Sequence, residues 1–195
     1  MTTHPLKASQ AEPTNFALVS KMNIAFNNPK GNPSDISWPR VRAQVTNVGD
    51  EWLEGMKALG LDADLLEELK AVRNKITADK FTGPVDLKQT RDSLVDVNVF
   101  SYGGHHLMGI DADRDMTSVI DGVMTRFVKD YADLQATLAK HRSAGVLEMV
   151  TEGEFPTMIV KSAGDYPDAP PGKFLKSASY REPTFYDVRS AAAGE

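Results

Sequence analysis

Residues 39–60 read PRVRAQVTNVGDEWLEGMKALG and carry an apolar side chain at every third or fourth position. This spacing is the period of an α-helix that turns one face toward a protein core. Gly60 belongs to the residue type that most often follows the last turn of a helix. We therefore predict a core-facing helix from near Pro39 to Gly60, with an apolar stripe of Val41, Val45, Val48, Trp52, Met56 and Leu59.

Helical periodicity on both sides of this stretch predicts an all-α fold, a helical bundle of about four to five helices. A short helix is expected from Phe16 to Phe26. Asp62 is a residue type that caps helices, and the helix that follows it runs through Ile76. One long helix is expected from about 115 to 141.

The segment from about Asp86 to Ile110 is apolar nearly all the way round its helical projection after Leu94. A helix with that pattern is usually covered on every side, so we predict that it is the most buried helix of the fold. Gly103 and Gly104 lie inside it, and we expect them to allow close packing of a neighbouring backbone.

The pattern changes after Gly145, where two short β-branched stretches predict a small hairpin over about 146–162. The chain from about 163 to 187 is rich in Gly, Pro and Ser and is predicted to be an extended tail that lies on the helices. We expect a single domain over 15–187. The two ends, 1–14 and 188–195, are expected to be flexible.

Charge and composition exclude several classes of protein. The 195 residues include 22 Lys and Arg against 27 Asp and Glu, a net charge of −5, which argues against a binder of nucleic acid duplexes. The absence of cysteine excludes disulfides and thiolate metal sites and suits a reducing cytoplasm. No apolar run approaches the roughly 20 residues that span a bilayer, so we expect a cytoplasmic protein with no membrane contact.

Two pairs of acids are candidates for a metal site. Glu51 and Glu54 are three residues apart on the predicted second helix, and Asp92 and Asp96 are four apart on the apolar helix. If the two helices pack antiparallel, the four carboxylates converge and repel one another unless cations neutralise them. Carboxylates without cysteine favour Mg²⁺ or Mn²⁺, and magnesium usually recruits substrate phosphates as well.

The same acids can also be interpreted without a metal. Acid pairs at these spacings are common on solvated helix faces, and helix capping or salt bridges to Arg42 or Arg73 would account for Asp92 and Asp96. His105 and His106 invite a metal interpretation, but no acid lies three residues before either of them, so a di-iron Glu-x-x-His pattern is absent. We expect both to be core or cleft histidines.

Cations near the C-terminal part of the chain are candidates for phosphate binding. Arg126 and Lys129 lie one turn apart, and Lys173 and Lys176 follow Gly172. Such cations also serve solubility, but beside a metal they would offset the charge of a triphosphate. Tyr180 is a candidate for stacking on a base or for pinning the tail.

Four motifs stand in order along the chain: DEWLE at 50–54, QTRDSLVDVNVFSYGGHHLMGID at 89–111, MTRFVKD at 124–130 and GKFLKSASYREP at 172–183. Together they resemble the MazG-like all-α nucleoside triphosphate pyrophosphohydrolases, which belong to the phosphoribosyl-ATP pyrophosphohydrolase-like superfamily. Asp50 replaces the first Glu of the family's first motif, and Gln89 stands where the second motif usually has Glu. The resemblance covers about 16–187, and the long hairpin is similar to that of bacteriophage-encoded members.

The resemblance implies roles for particular residues. Glu51, Glu54, Asp92 and Asp96 would hold Mg²⁺ or Mn²⁺, and one carboxylate among Glu51, Glu54 and Asp92 would take a proton from the attacking water. The cations that would meet the substrate phosphates are Arg126, Lys129, Lys173 and Lys176, and the candidates for contacts with the base include Asn98, Asn23 and Tyr180.

The implied reaction is hydrolysis of a (deoxy)nucleoside triphosphate between its α and β phosphates, which gives a monophosphate and pyrophosphate. We expect a purine substrate such as dGTP, and a phage-encoded enzyme would work in the host cytoplasm. Family members are homodimers or homotetramers whose sites are completed across subunits. The rivals are a phosphoribosyl-ATP pyrophosphohydrolase and a non-catalytic helical interaction module.

Overall fold

The structure is a computed structural model that describes residues 13–185. The C-terminal end predicted to be flexible lies outside the described residues, and so does all of the N-terminal end except residues 13 and 14. Within the described range the chain forms six α-helices: α1 (Asn15–Ala25), α2 (Trp38–Ala58), α3 (Ala63–Asn74), α4 (Leu87–Met108), α5 (Ala112–Met124) and α6 (Tyr131–Ser143). One antiparallel sheet has the order β1 (Met149–Glu152), β2 (Ile159–Ser162), β3 (Phe174–Leu175).

The mainly helical character is therefore confirmed, and the bundle arrangement stays a prediction. Local chemistry accounts for the helix ends. The Asp62 carboxylate accepts hydrogen bonds from the backbone N–H groups of Asp64 and Leu65, as a capping aspartate does at the start of a helix. Gly60 follows α2 with a φ of 83°, a left-handed conformation that favours glycine. Within residues 13–185, no helix is long and apolar enough to cross a membrane.

The predicted long helix from about 115 to 141 is wrong, because the chain leaves the helix at Thr125 and forms α6 only after Asp130. Val128 lies between the two helices, fully buried, and its N–H donates to the Met158 carbonyl at 2.9 Å. Asp130 then caps α6 by accepting a hydrogen bond from the Asp133 N–H. The chain from Thr125 to Asp130 thus leaves the helix, and the apolar side chain of Val128 is buried in the core.

The sheet belongs to the hydrophobic core, and the predicted hairpin is present as β1 and β2. The tail is not merely an extended chain on the helices, because it supplies β3, which pairs with β2. Leu175 of this strand is buried with Val128, Val146, Val160 and Ala169. The tail is thus part of the core.

The α4 helix differs most from the sequence prediction. None of its residues is buried, and Phe100 and Leu107 are 78% and 87% exposed. A Cβ placed on Gly103 or Gly104 would meet no atom of a neighbouring element within 4 Å. The expectations of a fully buried helix and of close packing at these glycines are therefore wrong, since most of its apolar side chains stay exposed within the described chain and Leu94 is only half-buried.

The described chain divides into two compact units. The smaller unit is Gly31–Val97, in which α2 packs against α3, with Leu53 and Leu66 buried. The larger unit combines residues up to Lys30 with those from Asn98 onward, and α1 packs against α5 in it. That residues 15–187 form a single domain stays a prediction.

Candidate functional site

All four acids of the predicted metal site lie in the smaller unit, and all four are exposed. Glu51 and Glu54 are on α2, whose buried residue, Leu53, lies between them in sequence. At about 100° of helical rotation per residue, Glu51 is about 160° from Leu53 and Glu54 about 100° from it. The two glutamates therefore share a face of α2 that lies away from its packed side.

Asp92 and Asp96 are exposed on α4, where they share a stripe with Gln89 at helical spacing. Asp92 borders a shallow depression with the apolar side chains of Leu87 and Val95 and with the cations Lys88 and Arg91. Asp92 therefore lies beside exposed apolar side chains and beside two cations of its own helix. This is the position at which a second surface would remove water from the carboxylate.

Salt bridges to Arg42 or Arg73 do not account for Asp92 and Asp96, because both arginines have different contacts. An Arg73 Nη atom lies 2.5 Å from the Asp50 carboxylate, and the Arg42 guanidinium lies 5.3 Å from the centre of the Phe81 ring. Asp50 is the residue that departs from the family's first motif. Its structural role is therefore to hold α3 against α2.

Carboxylates are the right donor type for a hard divalent cation, and each helix supplies two of them. Among residues 13–185, however, no three His, Asp or Glu side chains are close enough to hold one metal ion. The described residues of one chain therefore do not bring the four predicted ligands together. Each pair of carboxylates alone is an incomplete ligand set.

A groove of about 530 Å³ lies in the smaller unit, between α2, the 80–86 loop and α4. Its walls are mainly apolar, with Trp38 and Phe81 as aromatic side chains, and Gln89 contributes an amide. Sequence reasoning missed this groove because the loop carries only turn signals. Gln89 lines the groove, whereas Asp92 and Asp96 do not.

The predicted phosphate-binding residues lie in the larger unit, and three of the residues assigned to the substrate come together. The Lys176 Nζ atom is 4.2 Å from the centre of the Tyr180 ring, and the Arg126 guanidinium carbon is 5.7 Å from it. An aromatic ring attracts cations to its face, so Tyr180 holds two cations that would otherwise repel each other. Sequence reasoning named these residues but not this contact.

Glu182 completes this group and was missed by the sequence analysis. Its carboxylate lies 2.8 Å from the Lys176 Nζ atom, and the Tyr180 hydroxyl donates to it at 2.7 Å. The hydrogen bond with Glu182 raises the pKa of Lys176, and the bonds from Lys176 and Tyr180 lower the pKa of Glu182. We call Arg126, Lys176, Tyr180 and Glu182 the tail cluster.

The other four candidates lie outside the tail cluster. One of them is Asn23, whose side-chain amide donates to the Val19 carbonyl at 3.0 Å. Lys129 is exposed and uses its backbone N–H to donate to the Asp133 carboxylate at 3.2 Å. The Lys173 Nζ atom donates to the Asp168 carbonyl at 2.7 Å. Asn98 is exposed on α4.

Buried polar groups fix the tail turn on which Lys176 and Tyr180 stand. The Asp133 carboxylate accepts hydrogen bonds from the backbone N–H and the hydroxyl of Ser179. Ser177 is fully buried and donates its hydroxyl to the Thr125 carbonyl at 2.7 Å, while Thr137 accepts from the Ala178 N–H at 2.8 Å. Buried groups paired in this way define one geometry, so the tail turn is firmly positioned.

Of the two histidines, His105 contacts groups of α4 and α5. The His105 Nδ1 atom lies 3.0 Å from the Ser101 carbonyl, and its Nε2 atom is 3.8 Å from the Asp115 carboxylate. His106 is exposed, so the expectation of a core or cleft position is wrong for it.

The acids predicted from the sequence thus belong to the smaller compact unit, and the predicted cations belong to the larger one. Comparisons of this chain with protein-family models, with curated proteins and with solved structures find no match.

Proposed function

We propose that this chain is a Mg²⁺- or Mn²⁺-dependent nucleoside triphosphate pyrophosphohydrolase that converts a (deoxy)nucleoside triphosphate to monophosphate and pyrophosphate. The observation that carries the proposal is the exposed stripe of Gln89, Asp92 and Asp96 beside uncovered apolar side chains of α4. Carboxylates in such a place are unfavourable once water is excluded, unless a cation joins them.

A homodimer or homotetramer would supply the missing cover, as the resemblance to the MazG-like family implies. The exposed apolar side chains of α4 form a surface that a second copy can bury. Covering Asp92 and Asp96 in this way would also remove their hydration. We therefore propose that the carboxylates of more than one helix complete each metal site in the assembly.

The chain's own residues have defined roles in the proposed reaction. Bound Mg²⁺ would lower the pKa of water and neutralise phosphate charge. Asp92, Asp96, Glu51 and Glu54 would orient it, and a carboxylate of this set would accept the proton of the attacking water.

The cations would act on the substrate. Lys176 and Arg126 can donate to phosphate oxygens and offset the charge that develops on them, and Lys129 and Lys173 add positive charge to the same unit. Tyr180 and Asn98 are the proposed contacts to the base, and a purine such as dGTP is the expected substrate. The cysteine-free chain suits the cytoplasm, which we propose as its location.

The test is a panel of nucleoside triphosphates, together with phosphoribosyl-ATP, incubated with the purified chain and Mg²⁺, Mn²⁺ or EDTA. Chromatography should detect monophosphate and pyrophosphate only when a divalent metal is present. Diphosphate plus orthophosphate as first products would contradict the proposed reaction. Faster turnover of phosphoribosyl-ATP than of every other substrate would assign the chain to the related enzyme class.

A non-catalytic helical interaction module is the second candidate, and the uncovered apolar surface of α4 favours it. The two candidates differ in their response to metal. A metal site that completes the folded assembly raises the melting temperature in Mg²⁺ or Mn²⁺, since a ligand that binds the native state stabilises it. Equal melting temperatures in metal and in EDTA, with no hydrolysis, would favour the interaction module.

A further inference from the structure

The tail cluster contains an acid that faces the cations proposed to meet phosphate. Both oxygens of the Glu182 carboxylate are engaged, one by the Lys176 Nζ atom at 2.8 Å and the other by the Tyr180 hydroxyl at 2.7 Å. The field of Arg126 also helps to lower the pKa of this carboxyl. Glu182 thus takes up the donors that an anionic ligand would use.

The tail cluster also contains a hydrogen-bond donor that no described residue accepts from. The Nε atom of Arg126 is buried and has no hydrogen-bond partner among residues 13–185. A buried donor without a partner is uncommon in native proteins, and arginine binds phosphate oxygens well because its donors form a fixed planar fork. Arg126 is therefore not fully hydrogen-bonded within the described chain; because its Nε atom is itself buried, a phosphate would meet this residue through its terminal nitrogens.

The backbone on both sides of Glu182 is anchored, although its side chain is 72% exposed. The Arg181 N–H donates to the Thr125 hydroxyl at 2.9 Å. Pro183 packs so closely on Gly122 that a Cβ at the glycine would lie 3.0 Å from the proline ring. The side chain of Glu182 can therefore swing into solvent without displacing the tail.

We propose that the tail cluster is a polyphosphate site that Glu182 occupies in the free chain, and that the ligand binds by displacing the Glu182 carboxylate. This inference rests on the proposed function for its choice of a phosphate ligand, but it requires no hydrolysis. An exposed lysine–glutamate pair contributes little to stability, so it is readily broken. A polyphosphate brings several anionic oxygens where Glu182 brings one charge, which favours the exchange.

The experiment measures the binding of inorganic tripolyphosphate to the full-length chain by isothermal titration calorimetry. Excess EDTA keeps metal out, so neither metal binding nor hydrolysis affects the result. The variant Glu182→Gln removes the competing charge and keeps the size of the side chain. We expect its Kd to fall at least about threefold, because the ligand no longer competes with a charge-assisted hydrogen bond.

The matched control is Glu152→Gln. The Glu152 carboxylate lies 2.6 Å from the Lys161 Nζ atom, so this variant breaks a lysine–glutamate pair of similar geometry. It changes the net charge equally, so it should reproduce any general charge effect and nothing more. A Kd for Glu182→Gln that equals that of the control would overturn the proposal. Absence of tripolyphosphate binding by both the wild type and Glu182→Gln would overturn it too.

A double-mutant cycle locates the effect. In a Lys176→Gln background the carboxylate has lost its main cation, so Glu182→Gln should change the Kd much less than it does in the wild type. An undiminished effect would contradict displacement within the tail cluster. The hydrolysis assay is separate: a chain that hydrolyses no nucleotide but shows this pattern of binding would keep the polyphosphate site and lose the proposed reaction.

Discussion

The pKa of Lys176 is raised and the pKa of Glu182 is lowered because the two side chains are paired, and this can be measured directly. The hydrogen bond from Lys176, followed by that from Tyr180, lowers the pKa of Glu182 below its ordinary value of 4.5. A carboxyl whose pKa is lowered by folding stabilises the folded state at pH values above its ordinary pKa. This contribution to stability is lost as the pH falls through the pKa of the carboxyl in the folded state. In Lys176→Gln we expect the pKa of Glu182 to rise toward 4.5, as followed by NMR of the carboxyl carbon; an unchanged titration would contradict the ion pair.

The exposed acids of the smaller unit give a prediction about catalysis. Asp92→Asn and Glu51→Gln should each lower kcat by at least about a hundredfold, because a metal ligand is lost while side-chain volume is kept. Both residues are exposed, so the melting temperature without metal should hardly change. Glu68→Gln, at an exposed acid of α3, is the control and should keep full turnover. Near-normal kcat in Asp92→Asn would remove Asp92 from the site.

Gln89 tests whether the stripe on α4 is the metal-binding edge. Gln89→Glu would place a third carboxylate in line with Asp92 and Asp96, so metal should bind more tightly than in the wild type. The readout is the Mn²⁺ concentration that gives half-maximal activity. No change would mean that position 89 serves the groove that it lines and not the metal.

Single residues were predictable where the chemistry is local and were missed where it depends on the turn of the tail. Asp62 was identified as a helix cap because that interaction needs only the next three residues. Glu182 was missed because its contact with Lys176 requires the tail turn. That turn is held by distant residues: Ser177 donates to the Thr125 carbonyl and Ser179 donates to the Asp133 carboxylate.

Among the elements, the short strand β3 gives the clearest prediction about stability. Leu175 is 4% exposed and packs with Val128 and Val160, so Leu175→Ala leaves a cavity in the core. We expect a loss of about 2–5 kcal/mol in the free energy of unfolding, measured by urea denaturation. Leu147→Ala, at a leucine that is 68% exposed, should lose less than about 0.5 kcal/mol. Equal effects of the two variants would contradict the placement of β3 in the core.

The apolar surface of α4 gives a prediction about assembly. Phe100→Asp should shift sedimentation velocity toward the monomer, because a charge on a covered apolar surface is costly. Phe100 is 78% exposed in the single chain, so the helical signal in circular dichroism should stay. Leu147→Asp carries the same change at an exposed site outside α4 and should keep the native assembly. A wild-type chain that is already monomeric would contradict the proposed cover of α4.

At the level of elements, periodicity predicted where helices form but not what covers them. The stripe of α2 and the cap of α3 are visible in a window of a dozen residues. The break between α5 and α6 was missed because Phe127 continues the apolar spacing, although tertiary packing buries it outside the helix. For α4, an all-round apolar pattern indicates that cover is needed, and it does not say that the same chain provides it.

For the whole molecule, the sequence predicted a mainly helical chain but not its division into two compact units. Contacts between residues far apart in sequence decide that division. The ring of Phe26, at the end of α1, lies 4.7 Å from that of Phe127 and 5.5 Å from that of Phe174, measured between ring centres. No local pattern predicts such a pair.

The contacts among the rings of Phe26, Phe127 and Phe174 join segments that are synthesised at different times. The ribosome makes α1 before the smaller unit, and it makes Phe127 and Phe174 only after that unit. The smaller unit, by contrast, is one continuous segment, Gly31–Val97, and can form while the rest of the chain is still being made. A nascent chain halted before Phe127 would therefore hold the complete smaller unit and an α1 that lacks both of its aromatic partners, so that the ring of Phe26 is open to a chaperone.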